Sequence, residues 1–212
     1  MHRRKVIAAS AAMTCGGVLA AGWALLGSPQ PATDAGALPA VHSATTGLPS
    51  PPLSVRGPRG FHARVIPVAA RPDGSLTLPG QGSQGGWWAL GAAAGAARGT
   101  VLIAGHVDTG EGLGVFSTLH DLALGSSIDV TGANGRVYRY RITARRTYPR
   151  AQLPADLFSP EGVHRLALVT CSGAYDSRTS LYADNLVLYG ALTTEPYQGT
   201  RRGSGPSGRV LP

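Results

Sequence analysis

The chain has 212 residues, of which 43% are hydrophobic and 14% charged, so it can bury a core and is not wholly disordered. Its 30 Gly and 16 Pro indicate many turns or linkers, but they follow no G-X-Y period and long heptads are absent, which excludes collagen and coiled coils. The formal charge is +8, and much of the excess lies at the two ends of the chain. The middle is only mildly basic, which argues against a nucleic-acid partner and favours a membrane surface or an anionic envelope near the ends.

The N-terminus has the pattern of a membrane segment. Residues 1–5 include three consecutive basic side chains, and residues 6–26 are uncharged and about long enough to cross a bilayer. Because basic residues that precede such a run stay in the cytoplasm, we expect a single-pass anchor in the cell membrane with a cytoplasmic tip and the remaining chain outside the cell. The alternative is a cleaved signal peptide.

Composition divides the remaining chain into three parts. Residues 27–59 are mostly Pro, Ala, Ser, Thr and Gly, which predicts a spacer that holds a domain away from the membrane. Residues 193–212 are again polar and rich in Gly and Pro, and we expect them to be disordered. The folded unit is then predicted at residues 60–192, a normal size for one domain.

Within this unit the apolar runs are short, rich in branched and aromatic residues, and separated by turn signals. In the run from Arg136 to Tyr148, apolar and polar side chains alternate, which predicts one buried and one wet face. One short helix is predicted at Val115 to Leu122. The pattern indicates a mainly β protein, a small barrel or a sandwich. The predicted strands are 63–70, 100–107, 127–131, 136–148, 165–171 and 185–192.

Cys171 is the first candidate for chemistry. It ends a buried strand-like run and precedes a loop that contains Gly173, so a rigid element would hold it while one side stays open to substrate. The alternative is a buried core cysteine. The only other cysteine, Cys15, lies in the membrane-like segment, so a disulfide between the two is not expected.

His106 is the second candidate, because it also ends a buried run, in the order Ala104-Gly105-His106. A histidine at such a place can act as a general acid and base, and a cysteine nucleophile needs such a partner. The alternative is a structural histidine. The sequence shows no zinc-ligand spacing, no phosphate-binding loop and no serine elbow, so we expect no metal and no cofactor. The weaker histidines are His2, His42, His62, His120 and His164.

Several segments together resemble the class F sortases of actinobacteria, over about residues 64–192. The most specific are the strand-final Gly-His and the Leu-Val-Thr-Cys block about 65 residues later. The segments that carry the resemblance are LIAGHVDTGEGLGVFSTLHDLALGSSIDV, YRYRITARRTYPRAQLP, LALVTCSGAYD and YADNLVLYGAL.

The resemblance implies a closed eight-stranded β-barrel with one or two short helices, a membrane anchor and an external catalytic domain. It also implies a cysteine transpeptidase that cleaves Leu-Pro-x-Thr-Gly-type sorting signals of surface proteins. Cys171 would form a thioacyl intermediate, and an amine acceptor from the cell wall, or water, would resolve it. His106 would protonate the leaving amine and activate the acceptor. We expect the protein to be a monomer.

The third member of the implied site is an arginine, and here the sequence departs from the family. The family's arginine lies about a dozen residues after the cysteine, but the corresponding stretch, residues 181–185, reads Leu-Tyr-Ala-Asp-Asn. The nearest arginine is Arg178, which we expect to stabilise the oxyanion unless it is a solvated loop residue. The backbone N–H of Ser172 is a second expected donor. The lesser arginine candidates are Arg139, Arg141 and Arg145, and the side chains expected to bind substrate are Thr170, Ser172, Tyr175 and Asn185.

Two other functions remain open at this point. A barrel that has lost the reaction would serve as an envelope-binding or scaffolding module, and the missing arginine supports this reading. A different envelope cysteine enzyme, such as an L,D-transpeptidase, would need a Ser-His-Gly-Cys context that the sequence lacks.

Overall fold

The computed structural model of the chain describes residues 33–40, 48–70 and 75–193. The predicted anchor at 6–26 and the predicted disordered tail after residue 193 lie outside these ranges. Within the ranges, no helix combines the length and the apolar character needed to cross a membrane.

The described residues form eleven strands and two short 3₁₀ helices. The first 3₁₀ helix spans Val115–Asp121, close to the predicted helix, and the second spans Ala155–Phe158. The strands are β1 (Ala35–Gly36), β2 (Pro52–Arg56), β3 (His62–Val68), β4 (Gln84–Trp88), β5 (Thr100–Ala104), β6 (Asp108–Thr109), β7 (Gly112–Leu113), β8 (Ser127–Gly132), β9 (Val137–Pro149), β10 (Arg165–Asp176) and β11 (Leu181–Leu192).

Eight of the strands close into a barrel, as the resemblance implied. Their order is β9-β11-β10-β5-β4-β3-β2-β8, and β8 pairs with the first half of β9 to complete the circle. The pairs β3–β4 and β5–β10 are parallel, and the other neighbouring barrel strands are antiparallel. The second half of β9 pairs with the short strand β1. Closure leaves no open sheet edge between β8 and β9.

The barrel interior is the main hydrophobic core. The predicted alternation in β9 is confirmed, because Tyr138, Tyr140 and Ile142 are buried between more exposed neighbours. All eight barrel strands contribute to this core, and the first 3₁₀ helix adds Phe116 and Leu119.

A second apolar cluster covers one outer wall of the barrel. It is built on β5, β10, β11 and the second half of β9, and Leu157 of the second 3₁₀ helix packs on it. Residues of β5 and β10 are therefore buried on both faces, which explains their continuous apolar runs. Cys171 belongs to this outer cluster, together with Ala104 and Val107.

Two barrel strands do not follow from the sequence pattern. β2 lies inside the predicted spacer, so the barrel begins before residue 60; its Pro-rich start hides a five-residue strand in which Val55 is fully buried. β4 begins with Gln84-Gly85-Gly86, which reads as a turn. A side chain at Gly85 would collide with Phe116 and Ile103, so glycine is required there by close packing.

Candidate active site

The two predicted reactive residues belong to neighbouring parallel strands: Cys171 lies within β10, which runs five residues beyond the predicted strand end, and His106 follows β5 by two residues. In the β5–β10 pair, Ala104 is in register with Val169, and the N–H of Gly105 donates to the carbonyl of Val169 at 3.0 Å. His106 and Cys171 each lie two residues beyond this last pair, and Cys171 belongs to the outer cluster together with Ala104 and Val169.

A side-chain hydrogen bond joins the two chain segments directly before Cys171 and His106. The hydroxyl of Thr170 donates to the carbonyl oxygen of Gly105 at 2.9 Å, and Thr170 is fully buried. The structure thus uses the hydroxyl of this predicted substrate-binding residue to hold the two strands.

Cys171 is only 1% exposed, and it is disulfide-bonded in the structure. This differs from the expectation that Cys171 forms no disulfide. A cysteine acts as a nucleophile only as the thiolate, so any reaction at Cys171 requires the reduced protein.

His106 is buried and electrically neutral in its preferred state. Burial lowers the pKa of His106 below its ordinary value, while a hydrogen bond with the Pro79 carbonyl and the negative charge of Asp108 act in the opposite direction. Its Nδ1 atom is buried and has no hydrogen-bond partner in the described part of the chain. A neutral imidazole with one nitrogen uncommitted can accept a proton from a nearby group.

His120, which the sequence ranked lower, also touches the candidate nucleophile. Its Nε2 atom lies 3.3 Å from the carbonyl oxygen of Cys171, and the first 3₁₀ helix holds it there. Burial lowers the pKa of His120; the Cys171 carbonyl and Asp121 counteract this effect, and Arg145 adds to it. This contact is with the backbone of Cys171, so His120 helps to hold β10 in place at that residue.

Asp108 and two tyrosines form a chain of contacts beside His106. The Tyr182 hydroxyl donates to Asp108 Oδ2 at 2.7 Å, and the ring of Tyr175 packs on the ring of Tyr182 with centroids 5.0 Å apart. Burial and Asp108 raise the pKa of Tyr182. The sequence analysis missed Asp108, although its place two residues after His106 is a signal that could have identified it.

Asn185 faces Cys171 across the antiparallel β10–β11 pair. It is fully buried, its Nδ2 donates to the Arg150 carbonyl at 3.1 Å, and its Oδ1 has no hydrogen-bond partner among the described residues. Ser172 is also buried and is paired with Asp184. The structure thus brings Cys171, His106, Ser172 and Asn185 to one end of the β5–β10–β11 wall.

Arg178 lies away from this group. Its side chain is 90% exposed, and its contacts are local ones to Asp176, through the guanidinium at 3.5 Å and the backbone N–H at 2.9 Å. Its role at the oxyanion stays a prediction that these contacts do not support.

The three lesser arginine candidates of β9 have other partners. Arg139 makes a two-pronged ion pair with Asp129, Arg141 donates to the Gly125 carbonyl, and Arg145 donates to the Leu122 carbonyl. Of these three, Arg145 is the one whose charge lowers the pKa of His120. Across residues 33–40, 48–70 and 75–193, no group of three or more His, Cys, Asp or Glu side chains could hold a metal ion.

A closed barrel with a cysteine on one strand and a histidine just after the neighbouring parallel strand defines a class of β-barrel proteins with a candidate cysteine–histidine site. The family model for the sortase domain matches residues 61–193, and the chain therefore belongs to the sortase family. A search of the curated proteins finds no match.

Solved structures agree with this fold. Sortase A from Corynebacterium diphtheriae is 15% identical, with a TM-score of 0.54 over 71% of this chain and 64% of that one. Sortase C1 from Streptococcus agalactiae, in complex with MTSET, is 14% identical, with a TM-score of 0.53 over 69% of this chain and 70% of that one. At these identities the likeness is one of fold.

Proposed function

We propose that this sortase is a membrane-anchored class F enzyme, a cysteine transpeptidase that cleaves Leu-Pro-x-Thr-Gly-type sorting signals and joins surface proteins to the cell wall. The observation that supports the proposal is the parallel register of β5 and β10, whose last pair, Ala104 and Val169, precedes both His106 and Cys171 by two residues. A nucleophile and its acid–base partner on two rigid neighbouring strands satisfy the first requirement of covalent catalysis.

The first half-reaction forms a thioester. The reduced Cys171 sulfur attacks the carbonyl carbon of the threonine in the signal, with its proton taken up by His106. The bond between the threonine carbonyl carbon and the glycine nitrogen breaks, and His106 returns the proton to the leaving amine. The backbone N–H of Ser172 is a donor for the oxyanion that forms between these two events.

The second half-reaction transfers the acyl group. An amine from the cell wall, or water, attacks the thioester carbon and loses a proton to His106, and the Cys171 sulfur leaves and is reprotonated. The partners are therefore surface proteins that carry a sorting signal and an amine-bearing wall peptide. Tyr175 and Asn185 are the side chains we expect to bind the signal: Tyr175 is partly exposed on β10, and Asn185 faces Cys171 from β11.

Membrane attachment is part of the same proposal. Residues 6–26 would form the anchor, with residues 1–5 in the cytoplasm and the barrel outside the cell. Fractionation of cells that express the full chain tests this directly: we expect it in the membrane fraction, with the barrel digested by protease added to intact protoplasts. A barrel protected from the protease would contradict the orientation.

The activity is tested on the full chain in detergent with a reductant, against a library of Leu-Pro-x-Thr-Gly-type peptides and with triglycine as the amine. We expect cleavage before glycine and a new peptide joined to triglycine, both lost in Cys171→Ala. Cleavage of a muramyl peptide instead would favour an L,D-transpeptidase.

One observation favours a second candidate, an inactive barrel that binds the envelope. The stretch 181–185 contains no arginine, and Arg178 is exposed and paired with Asp176. A thiol-reactive probe on the reduced protein separates the two functions, because a working site would label at Cys171 and a sorting-signal peptide would block the labelling.

A further inference from the structure

The start of β11 lacks the cation that the proposed reaction requires. An oxyanion formed at Cys171 needs a strong donor besides the backbone N–H of Ser172. Ala183, in the stretch where the sequence departs from the family pattern, is exposed and offers no donor. The strand that pairs with this part of β11 is β9.

The residue that directly follows β9, Arg150, lies opposite Ala183. The β9–β11 register pairs Asn185 with Tyr148 and Asp184 with Pro149. The N–H of Arg150 then donates to the carbonyl of Ala183 at 2.9 Å, which continues this pairing one residue further. Arg150 thus occupies the cross-strand position next to Ala183, where side chains are immediate neighbours.

Asn185 connects this position to the nucleophile. It faces Cys171 on β10, and on its other side its Nδ2 donates to the Arg150 carbonyl at 3.1 Å. Its Oδ1 is a fully buried acceptor without a hydrogen-bond partner in the described residues, and a buried acceptor of this kind is normally satisfied by a donor. The order across the three strands is Cys171, Asn185 and Arg150.

The distance is suited to the longest cationic side chain. Two strand spacings and two residue rises place the Cα atom of Arg150 about 12 Å from that of Cys171. An extended arginine covers most of this distance, which leaves room for a substrate carbonyl bound at Cys171. The guanidinium offers five donors in a planar fork and is permanently charged.

We propose that Arg150 is the catalytic arginine of this enzyme and replaces, from β9, the group that residue 183 lacks on β11. This assignment rests on the proposed function. When the Cys171 sulfur bonds to the threonine carbonyl carbon, the carbonyl electrons move to oxygen, and Arg150 donates to that oxyanion. When the carbon–nitrogen bond breaks, the oxygen regains its double bond, and the His106 proton goes to the leaving amine. Asn185 holds the Arg150 backbone, and its Oδ1 accepts an N–H of the bound signal.

The test compares turnover of the full-length, reduced enzyme on its best library peptide. Arg150→Ala should lower kcat by about 10²–10³, the usual effect of removing one oxyanion donor. Arg150→Lys should also be strongly impaired, because an ammonium lacks the planar fork. The bonds of Arg150 to Ala183 and Asn185 use its backbone, so the variant keeps both of them, and Tm measured alongside kcat reports any loss of stability.

A rescue variant separates catalysis from structure. Placing an arginine at the neighbouring position, Ala183→Arg in the Arg150→Ala background, should recover at least tenfold of the lost kcat. The matched control is Arg136→Ala, an exposed arginine just before the other end of β9, which should leave kcat unchanged.

The outcomes are distinguishable. If Arg150→Ala retains kcat within twofold, or if Ala183→Arg restores nothing, the assignment of Arg150 is overturned, and a loss in Arg178→Ala would name the cation instead. If the wild type cleaves none of the peptides, the proposed function fails, and the role of Arg150 fails with it.

Discussion

Thr170 and Gly105 are joined by a buried hydrogen bond of 2.9 Å, and these are the residues that directly precede Cys171 and His106. The bond fixes the relative position of the two segments that carry Cys171 and His106, on which the proposed chemistry depends. Positioning of this kind converts an encounter of reacting groups into a single held geometry.

Thr170→Val should therefore reduce both stability and turnover. It removes the hydroxyl donor and leaves a buried carbonyl unsatisfied, at a cost of about 1–3 kcal/mol in the free energy of unfolding. We expect the fall in kcat to exceed the change in KM. Thr170→Ser, which keeps the hydroxyl, is the control, and chemical denaturation with steady-state kinetics gives both quantities. Equal kcat in all three proteins would show that the bond does not position the site.

His106→Ala should lower kcat by about two to four orders of magnitude, the usual contribution of a positioned acid–base group. His62→Ala is the control, because His62 is exposed on β3. Peptide cleavage under reducing conditions measures both variants. A change confined to KM would make His106 a binding residue instead.

Asp108→Asn should lower the pKa of His106 further, because the Asp108 charge raises that pKa against the larger effect of burial. NMR titration of the His106 ring measures the shift. His164, whose pKa is lowered by burial and not influenced by Asp108, is the internal control. An unchanged His106 titration would mean that the two side chains do not interact.

The lowered pKa of His106 also makes the stability of the folded protein depend on pH. Since the pKa of folded His106 lies below its ordinary value of 6.5, the unfolded chain takes up the proton first as the pH falls. The stabilising contribution of the neutral imidazole is thus complete above pH 6.5 and declines as the pH falls from 6.5 toward the pKa of the folded state. Asp108→Asn should widen this window at its acidic end.

A protein that begins at Gly57 should be less stable than one that begins at Thr33. The shorter chain lacks β2, so β3 and β8 would lose their shared partner and the buried side chain of Val55. We expect a lower Tm and aggregation through the newly opened edges. Thermal unfolding and size-exclusion chromatography of the two proteins measure this. Equal Tm values would mean that β2 is not an essential strand of the barrel.

The reactive pair could be predicted from the sequence because Cys171 and His106 each follow an apolar run that is buried on both faces. Such runs have a clear signal, and their ends are natural places for chemistry. The alternation of β9 and the short helix after Gly114 had equally local signals. The parallel pairing of β5 with β10, by contrast, has no signal in any single segment.

The rest depends on contacts between distant segments. The sequence did not predict β2 because its Pro-rich pattern resembles a spacer. It did not predict β4 because Gly85, which indicates a turn, is required by close packing against Phe116, 31 residues later in the chain. Arg150 could not be linked to Ala183 without the β9–β11 register, since 33 residues separate them.

The central claim is that Cys171 carries the acyl group of a sorting signal. The most direct test mixes the reduced full chain briefly with a Leu-Pro-x-Thr-Gly peptide and stops the reaction with acid. Mass spectrometry of the intact protein and of its proteolytic peptides then detects any added group. We predict an added mass equal to the peptide through its threonine, less one water, located on Cys171 and absent from Cys171→Ala. Cleavage of the peptide by Cys171→Ala at the wild-type rate, or an acyl group on another residue, would contradict the account.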